Sequence, residues 1–381
     1  MKRINKIMII PILLFYFSIL LMGSKDSKDI NDKMILTAVA LDKKDDLVYI
    51  YVEIANIEYG TNTEGQSGGE AKKYVYVKAK GKSIPEAREN LDRKLNRPTY
   101  LSAIRTILMT REFANEHLVE YFYRIRSEEL YRKKVATVVV DSDIEELFEN
   151  SNQKEMSVGF AIEEMLKNLE DIGTDFSKPT LAMIENVSGK YSSFLIPTIA
   201  LEEGENSLIG YSVVDDITIN GFIEVEEAKG VSFFKAKKPQ FYYMVNYNEN
   251  NLTIEVNLKK RSITPKSGSK EISFDVKMDF DASIMYGNKK TPYGFDKSDN
   301  EKITDILTAL LKEELESTIE RSQKDFKCDY LQFHDEFRIK YPSKFEKIDW
   351  GKEFVNAKVN ISVKVDLSES WMMDYKTDER K

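Results

Sequence analysis

Residues 300–326 read NEKITDILTALLKEELESTIERSQKDF, and residues 355–367 read VNAKVNISVKVDL. In the first stretch Ile303, Ile306, Leu307, Leu310, Leu311, Leu315 and Ile319 recur at the three- and four-residue spacing of one helical face, so it predicts a long amphipathic helix. In the second, Val359, Ile361, Val363, Val365 and Leu367 alternate with polar residues, which is the period of a half-buried strand. Each element has an apolar side that water disfavours. The economical arrangement lays the helix stripe on the strand's sheet, which makes this half of the chain a helix-on-sheet α+β structure.

Working outward, the second half is rich in strands. YSSFLIPTIAL (191–201), DITINGFIEV (216–225), KGVSFFK (229–235), NLTIEVNLKK (251–260) and EISFDVKMDFDASIMYG (271–287) all have strand composition. In the first half, strands and helices alternate. DLVYIYVEIA (46–55) and KYVYVKAKG (73–81) read as a hairpin around a long Gly-rich loop, and SAIRTILMT (102–110) and KVATVVV (134–140) as further strands. Ser83-Ile84-Pro85-Glu86 is a capping box that starts a helix running to about Leu95. REFANEHLVEYFYRI (111–125) has helical periodicity, DSDIEELFEN (141–150) opens on a cap, and GFAIEEMLKNLEDIG (159–173) ends at Gly173, a helix stop. The expected fold class is therefore α+β, a multi-domain arrangement of mixed sheets flanked by helices. Patterning breaks between Lys178 and Tyr191. That divides the chain into an N-terminal apolar segment (1–23), a mixed α/β domain (24–190), a strand-led α+β region of one domain or two modules (191–371) and a tail (372–381).

The 381-residue chain is 31% charged, with a formal net charge of −8. An acidic body repels phosphate backbones, which argues against a nucleic-acid partner. Residues 1–6, MKRINK, carry Lys2, Arg3 and Lys6, and Ile7 to Gly23 then run 17 residues without a charge. This is the pattern of an export signal or signal anchor. As a helix it would reach about 26 Å at roughly 1.5 Å per residue, near the short limit for a bilayer core. The basic flank stays cytoplasmic, which places the body outside the cytoplasm. Leu21-Met22-Gly23-Ser24 matches a bacterial lipobox except at its last position. Lipid transfer needs a thiolate, so Ser24 is expected to remain unlipidated.

Few residues suggest chemistry. Cys328 is the single cysteine, which excludes an internal disulfide and a Cys-based zinc site. His117 and His334 are the only histidines, too few for a multi-histidine metal centre. His117 lies in a helical segment and reads as packing or surface; His334, beside Asp335, reads as a partly buried histidine held by a carboxylate. Gly65-Gln66-Ser67-Gly68-Gly69 fits the letters of a nucleophile elbow, but a strand follows where a helix is required. A flexible loop is the better reading, with a Ser67 hydrolase as the alternative. Residues 141–152 begin like a calcium loop, then place Glu146 where the turn needs glycine and Asn152 where it needs a bidentate acid. No glycine-rich phosphate loop occurs. No catalytic, cofactor-binding or metal residues are expected.

Beyond these readings, SKDSKDINDKMILTAVALDK (24–43) resembles the mature N-terminus of the Ger(x)C spore germination proteins, which opens Cys-Trp-Asp-x-x-Glu-Ile-Asn-Asp. Asp26, Ile30, Asn31 and Asp32 match, Asp29 replaces glutamate, and Leu41-Asp42-Lys43 matches a Gly-Ile-Asp-Lys element. Ser24 and Lys25 depart from the Cys-Trp pair. AREN (87–90), RPTYLSAIRTILMTREFA (97–114), RSEELYRKKVATVVV (126–140) and INGFIEVEEAKGVSFFK (219–235) resemble further family segments in the same order. CDYLQFHDEFRIKYPSKFEKIDWGKEFVNAKVNISVKV (328–365) is similar to the terminal block, with Asp329, Phe333, Pro342 and Trp350 in place and His334 where glycine is usual. The resemblance implies the C subunit of a nutrient germinant receptor: a mixed α/β protein of about three modules on the outer face of the spore inner membrane, assembled with integral membrane subunits and without known catalytic residues. The family habit is lipid anchoring, from which Ser24 departs, so a retained Ile7 to Gly23 helix is the expected tether instead. A form cut near Gly23 is the rival, and a stand-alone exported ligand-binding protein is the second functional class.

Overall fold

The structure, a computed structural model, describes residues 32–56, 73–128, 131–132, 134–153, 156–174, 182–184, 193–268, 271–287 and 295–368. The apolar segment 1–23, Ser24, Ser67, the tail 372–381 and most of the 178–191 break lie outside the described residues.

Thirteen described strands form two sheets. The larger contains β1 (Met34–Lys44), β2 (Leu47–Ala55), β3 (Tyr74–Gly81), the two-residue β4 (Thr99–Tyr100), β5 (Thr106–Thr110), β6 (Ala136–Val140), β7 (Phe194–Glu202), β8 (Glu205–Asp215) and β9 (Thr218–Glu224). Its order is β3-β2-β1-β5-β6-β7-β8-β9, with β4 pairing on β1. Strands β1, β5, β6 and β7 are parallel, and antiparallel hairpins flank them on both sides. Strands from both sides of position 190 thus hydrogen-bond into one sheet.

Four helices cover this sheet: α1 (Ile84–Asp92), α2 (Arg111–Ser127), α3 (Ile144–Gln153) and α4 (Val158–Asp171). The apolar residues of α1 and α2 pack with Leu36, Val39 and Leu41 on one face, and those of α3 and α4 with Ala38 and Ala40 on the other. The capping box is present at α1, where the Ser83 hydroxyl accepts from Glu86 N–H. Glu86 reaches back one residue beyond the cap, accepting from Lys82 N–H at 2.8 Å. Asp143 caps α3, and Gly173 ends α4 at φ +78°.

Strand β1 lies inside the sheet between β2 and β5, and its strand character is not evident from Met34-Ile35-Leu36-Thr37-Ala38-Val39. It is buried on both faces, so it lacks the alternation that marks a half-exposed strand. Its small residues have a spatial cause. Helix α4 crosses it so closely that a Cβ on Gly159 would lie 2.1 Å from the Thr37 carbonyl oxygen and 3.3 Å from Ala38 Cβ. A buried carboxylate fixes the crossing. Glu53, on β2, accepts from the Thr37 hydroxyl, the Ser157 hydroxyl (2.6 Å), Val158 N–H (2.8 Å) and Gly159 N–H (3.4 Å).

The smaller sheet is β10 (Gln240–Tyr247), β11 (Asn250–Ser267), β12 (Ile272–Gly287) and β13 (Lys358–Ser368), antiparallel except for the parallel β12–β13 pair. Inward residues Phe274, Val276, Met278, Phe280, Ala282 and Ile284 alternate along β12, and the helix-on-sheet arrangement is present. Helix α6 (Lys297–Glu320) buries Ile303, Leu307, Leu311, Leu315 and Ile319 in the core that Val359, Ile361, Val363, Val365 and Leu367 also line. Ile306 and Leu310 stand at the exposed edge of the stripe. The predicted end of this helix widens into a π-helical turn over Arg321–Asp325, closed by Phe326 N–H on the Arg321 carbonyl.

One element differs in kind from its sequence reading. KGVSFFK is not a strand; it lies in helix α5 (Ala228–Lys235). Ala228, Gly230, Val231, Ser232, Phe233 and Phe234 are all buried between the sheets. A short segment apolar on every side carries no period that separates a buried helix from a buried strand. SAIRTILMT is also shorter as a strand than expected: Leu101–Ala103 is a 3₁₀ turn, and β5 begins at Thr106. Leu195, Tyr211, Val213 and Ile223 of the larger sheet join the core of the smaller one, so the two layers share apolar interior.

Candidate functional site: a terminal aromatic knot and a polar cleft between the sheets

The terminal block brings together residues spread over 328–354. Gln332, in the left-handed region at φ +65°, turns the chain so that α7 (Phe333–Lys340) starts directly over Asp329. The Asp329 carboxylate accepts from Phe333 N–H (2.9 Å), His334 N–H (2.8 Å) and Trp350 Nε1–H (2.9 Å), and faces His334 Nδ1 at 3.0 Å. A carboxylate oxygen accepts, so this pairing suits the imidazole tautomer that carries its proton on Nδ1. Trp350, on α8 (Trp350–Asn356), is 1% exposed, and its ring meets Phe274, Phe337, Phe345 and Phe354 at centroid distances of 6.3, 5.3, 5.5 and 6.2 Å.

The Asp329–His334 pair has the form of half a catalytic relay. Its other imidazole nitrogen, Nε2, faces Asp335 Oδ1 at 3.6 Å. The ring therefore lies between two carboxylates, and among the described residues no hydroxyl or thiol is hydrogen-bonded to it. His117 is elsewhere, on α2, against Phe113 and 3.2 Å from Glu120 Oε2. Among the described residues no cluster of three or more His, Cys, Asp or Glu side chains could hold a metal.

Cys328 is buried, and burial pushes its thiol well up from the ordinary range. A thiol that cannot ionise does not alkylate. Iodoacetamide is expected to leave the native chain unmodified at pH 8 for hours and to modify it fully in denaturant, read by intact mass. Rapid native labelling would mean that this end of the core opens.

A second constellation was not visible in the sequence. A cavity of about 290 Å³ lies between β9, α5, β10 and α6, lined among others by Glu227, Lys229, Tyr243, Glu314, Ser317 and Arg321. The Tyr243 hydroxyl donates to Glu314 Oε2 at 2.5 Å, and Arg321 pairs with Glu227 at 2.5 Å. Burial pushes the Glu314 carboxyl upward, opposed by the Tyr243 hydroxyl and by Lys229. The same burial and the Glu314 charge push the Tyr243 phenol far up. Helices α5 and α6 meet here with no slack, because a Cβ on Gly230 would lie 2.0 Å from Thr318 Oγ1. The cleft offers charges of both signs to a small polar solute. No sequence motif marks it, since its residues come from four elements that only the packing joins.

Comparison with known proteins fits this arrangement. The description "Spore germination protein N-terminal domain" matches residues 26–201, and "Spore germination B3/GerAC like, C-terminal" matches residues 209–370. The chain is 20% identical to spore germination protein YndF of Bacillus subtilis (strain 168), covering 97% of each chain. It is 21% identical to spore germination protein B3 of the same organism, over 92% of this chain and 96% of that one. It is also 21% identical to spore germination protein KC, over 91% of each. The crystal structure of the GerBC protein superposes with a TM-score of 0.56 at 15% identity, covering 86% of this chain and 96% of that one, so the mixed α+β fold is shared. Matched in order over residues 26–201 and 209–370, the chain belongs to the Ger(x)C family of spore germination proteins.

Proposed function

We propose that the chain is a non-catalytic, membrane-attached subunit of a spore nutrient germinant receptor. It is held on the outer face of the spore inner membrane and offers its folded body as interaction surface to integral membrane subunits. The observation that carries this reading is the placement of two adjoining family regions immediately after an uncharged run with a basic flank. With serine at position 24, attachment rests on the apolar segment 7–23 rather than on a thioether-linked lipid. No helix among the described residues is long and apolar enough to cross a membrane, so that segment is the candidate tether.

Deleting the gene and measuring nutrient-triggered germination tests the role. Loss of the response to one nutrient class by about tenfold or more is expected, with normal germination by non-nutrient triggers. Pull-down of the full chain from spore membranes should recover multi-span proteins, and intact mass should include residues 1–23. A soluble product beginning near Ser24 in spores that germinate normally would refute the attachment.

The cleft around Glu314 supports a second reading, an exported protein that binds a small polar ligand. Calorimetric titration with amino acids and sugars distinguishes the two, since only the second predicts saturable heat that disappears in Glu314→Gln.

A further inference from the structure

The smaller sheet ends on β10, and we infer that a second copy of the chain docks there, β10 pairing antiparallel with β10 about a two-fold axis at Tyr243. An edge strand presents a row of backbone N–H and C=O groups, and folded chains guard it with charge, proline, a bulge or a covering segment. The other three edges of the two sheets are guarded. Strand β3 carries Lys78 and Lys80, and β13 carries Lys358, Lys364 and Asp366. Strand β9 shifts register against β8 and gives its Ile219 N–H to the Asn115 side chain. Strand β10 reads Gln240-Phe241-Tyr242-Tyr243-Met244-Val245-Asn246-Tyr247, without a charged residue or a proline, and it pairs with β11 without a register shift.

The register with β11 fixes which groups face outward. Leu258 N–H donates to the Pro239 carbonyl, so the odd-numbered residues of β10 turn their backbone groups toward β11. Gln240, Tyr242, Met244 and Asn246 therefore turn one N–H and one C=O each toward the open edge. Among the described residues no further strand pairs with them. Their side chains stand on the sheet face away from the core, where Tyr242 is 55% and Met244 74% exposed.

The strand's own sequence selects its occupant. Around Tyr243 it is a palindrome in residue character: Met244 mirrors Tyr242, Val245 mirrors Phe241, and Asn246 mirrors Gln240. Antiparallel pairing about that centre sets Tyr242 against Met244 of the second copy and Gln240 against Asn246 of the second copy, each a hydrogen-bonded pair. The first is a thioether–ring contact and the second joins two amides. On the inner face Phe241 meets Val245 of the second copy. The chain as a whole carries a net charge of −8, so two copies repel, yet this seam adds no charge of its own. A single strand pair buries little area, which makes the dimer a low-affinity one. Chains sharing a membrane meet at a higher effective concentration, although the pairing itself does not rest on the attachment proposed above.

The test cross-links the full chain in mild detergent, with the buried Cys328 left in place. Opposed residues of a hydrogen-bonded antiparallel pair lie about 5.5 Å apart at Cα, within disulfide reach. Position 242 and its own counterpart are offset diagonally, beyond that reach, and so are the two copies of position 244. A mixture of Tyr242→Cys chains and Met244→Cys chains should therefore oxidise to a disulfide-linked dimer at least fivefold faster than either variant alone. Both side chains are exposed, so the urea midpoint should stay that of the parent. Adding Gln240→Lys and Asn246→Lys to both chains sets like charges opposite one another and should abolish the gain. A mixture that oxidises no faster than the single variants, or a gain that survives the lysines, would overturn the inference. So would capture of a different protein by the position-244 cysteine in spore membranes with no dimer of this chain, which would give the edge to another partner.

Discussion

Asp329→Ala should loosen the C-terminal half of the molecule, costing about 3–5 kcal/mol. The carboxylate is 5% exposed, and four nitrogens converge on it: two backbone N–H groups at the start of α7, His334 Nδ1 and Trp350 Nε1. Alanine leaves those donors without an acceptor in an interior that water does not reach, and each stranded donor costs about 1–3 kcal/mol. The loss is concentrated because the same oxygens also hold Trp350 within the ring of Phe274, Phe337, Phe345 and Phe354. Urea unfolding should show the midpoint falling, with a red shift in tryptophan emission at lower urea than in the parent. Asp329→Asn retains the shape and one accepting oxygen, so it should cost roughly half as much. If Asp329→Ala unfolds within about 0.5 kcal/mol of the parent, the carboxylate does not organise the knot.

The second large effect is expected at Glu53. Its carboxyl accepts from Thr37, Ser157, Val158 and Gly159, which anchors the N-terminus of α4 to the central strands. Glu53→Ala should cost about 3 kcal/mol, because two hydroxyls and two N–H groups lose their acceptor and the close α4 crossing loses its pin. The pH dependence has a definite sign. Burial raises the Glu53 carboxyl above its ordinary value, although the four donors oppose this. A carboxyl raised in the folded state binds its proton more tightly there than in the unfolded chain, so stability rises as pH falls through the folded value. The parent should gain on Glu53→Gln as pH falls from neutral toward the ordinary carboxylate range, with the gap measured by urea midpoints at each pH. A gap that widens with rising pH would show the donors outweighing desolvation.

Legibility differed by element, for a common physical reason. Helix α6 and strand β13 were readable because each is half wet, and a half-wet element writes its period into the sequence. Ser83-x-x-Glu86 and Gly173 were readable because caps and stops are satisfied by neighbours a few residues away. Strand β1 and helix α5 are dry on all sides. Their composition records burial without recording geometry, which is why no sequence period marks β1 and KGVSFFK reads as a strand. The carboxylate expected to hold His334 is present: Asp329, five residues earlier, faces Nδ1 at 3.0 Å because a left-handed Gln332 folds the chain back, while the adjacent Asp335 faces Nε2 at 3.6 Å.

The sequence by itself determined the class of fold, the uncharged N-terminal run with its basic flank, the scarcity of metal and nucleophile chemistry, and the ordered series of segments that the family shares. All of these depend on residue type or on spacing within a dozen or so positions. The tertiary structure alone decided that β1 lies inside the large sheet between β2 and β5, that Glu53 pins α4, and that Tyr243 meets Glu314 across a cleft. Those features join residues as many as 106 positions apart. Contacts of that range form only when apolar burial brings the elements together, and no local pattern specifies which side chains will then be neighbours.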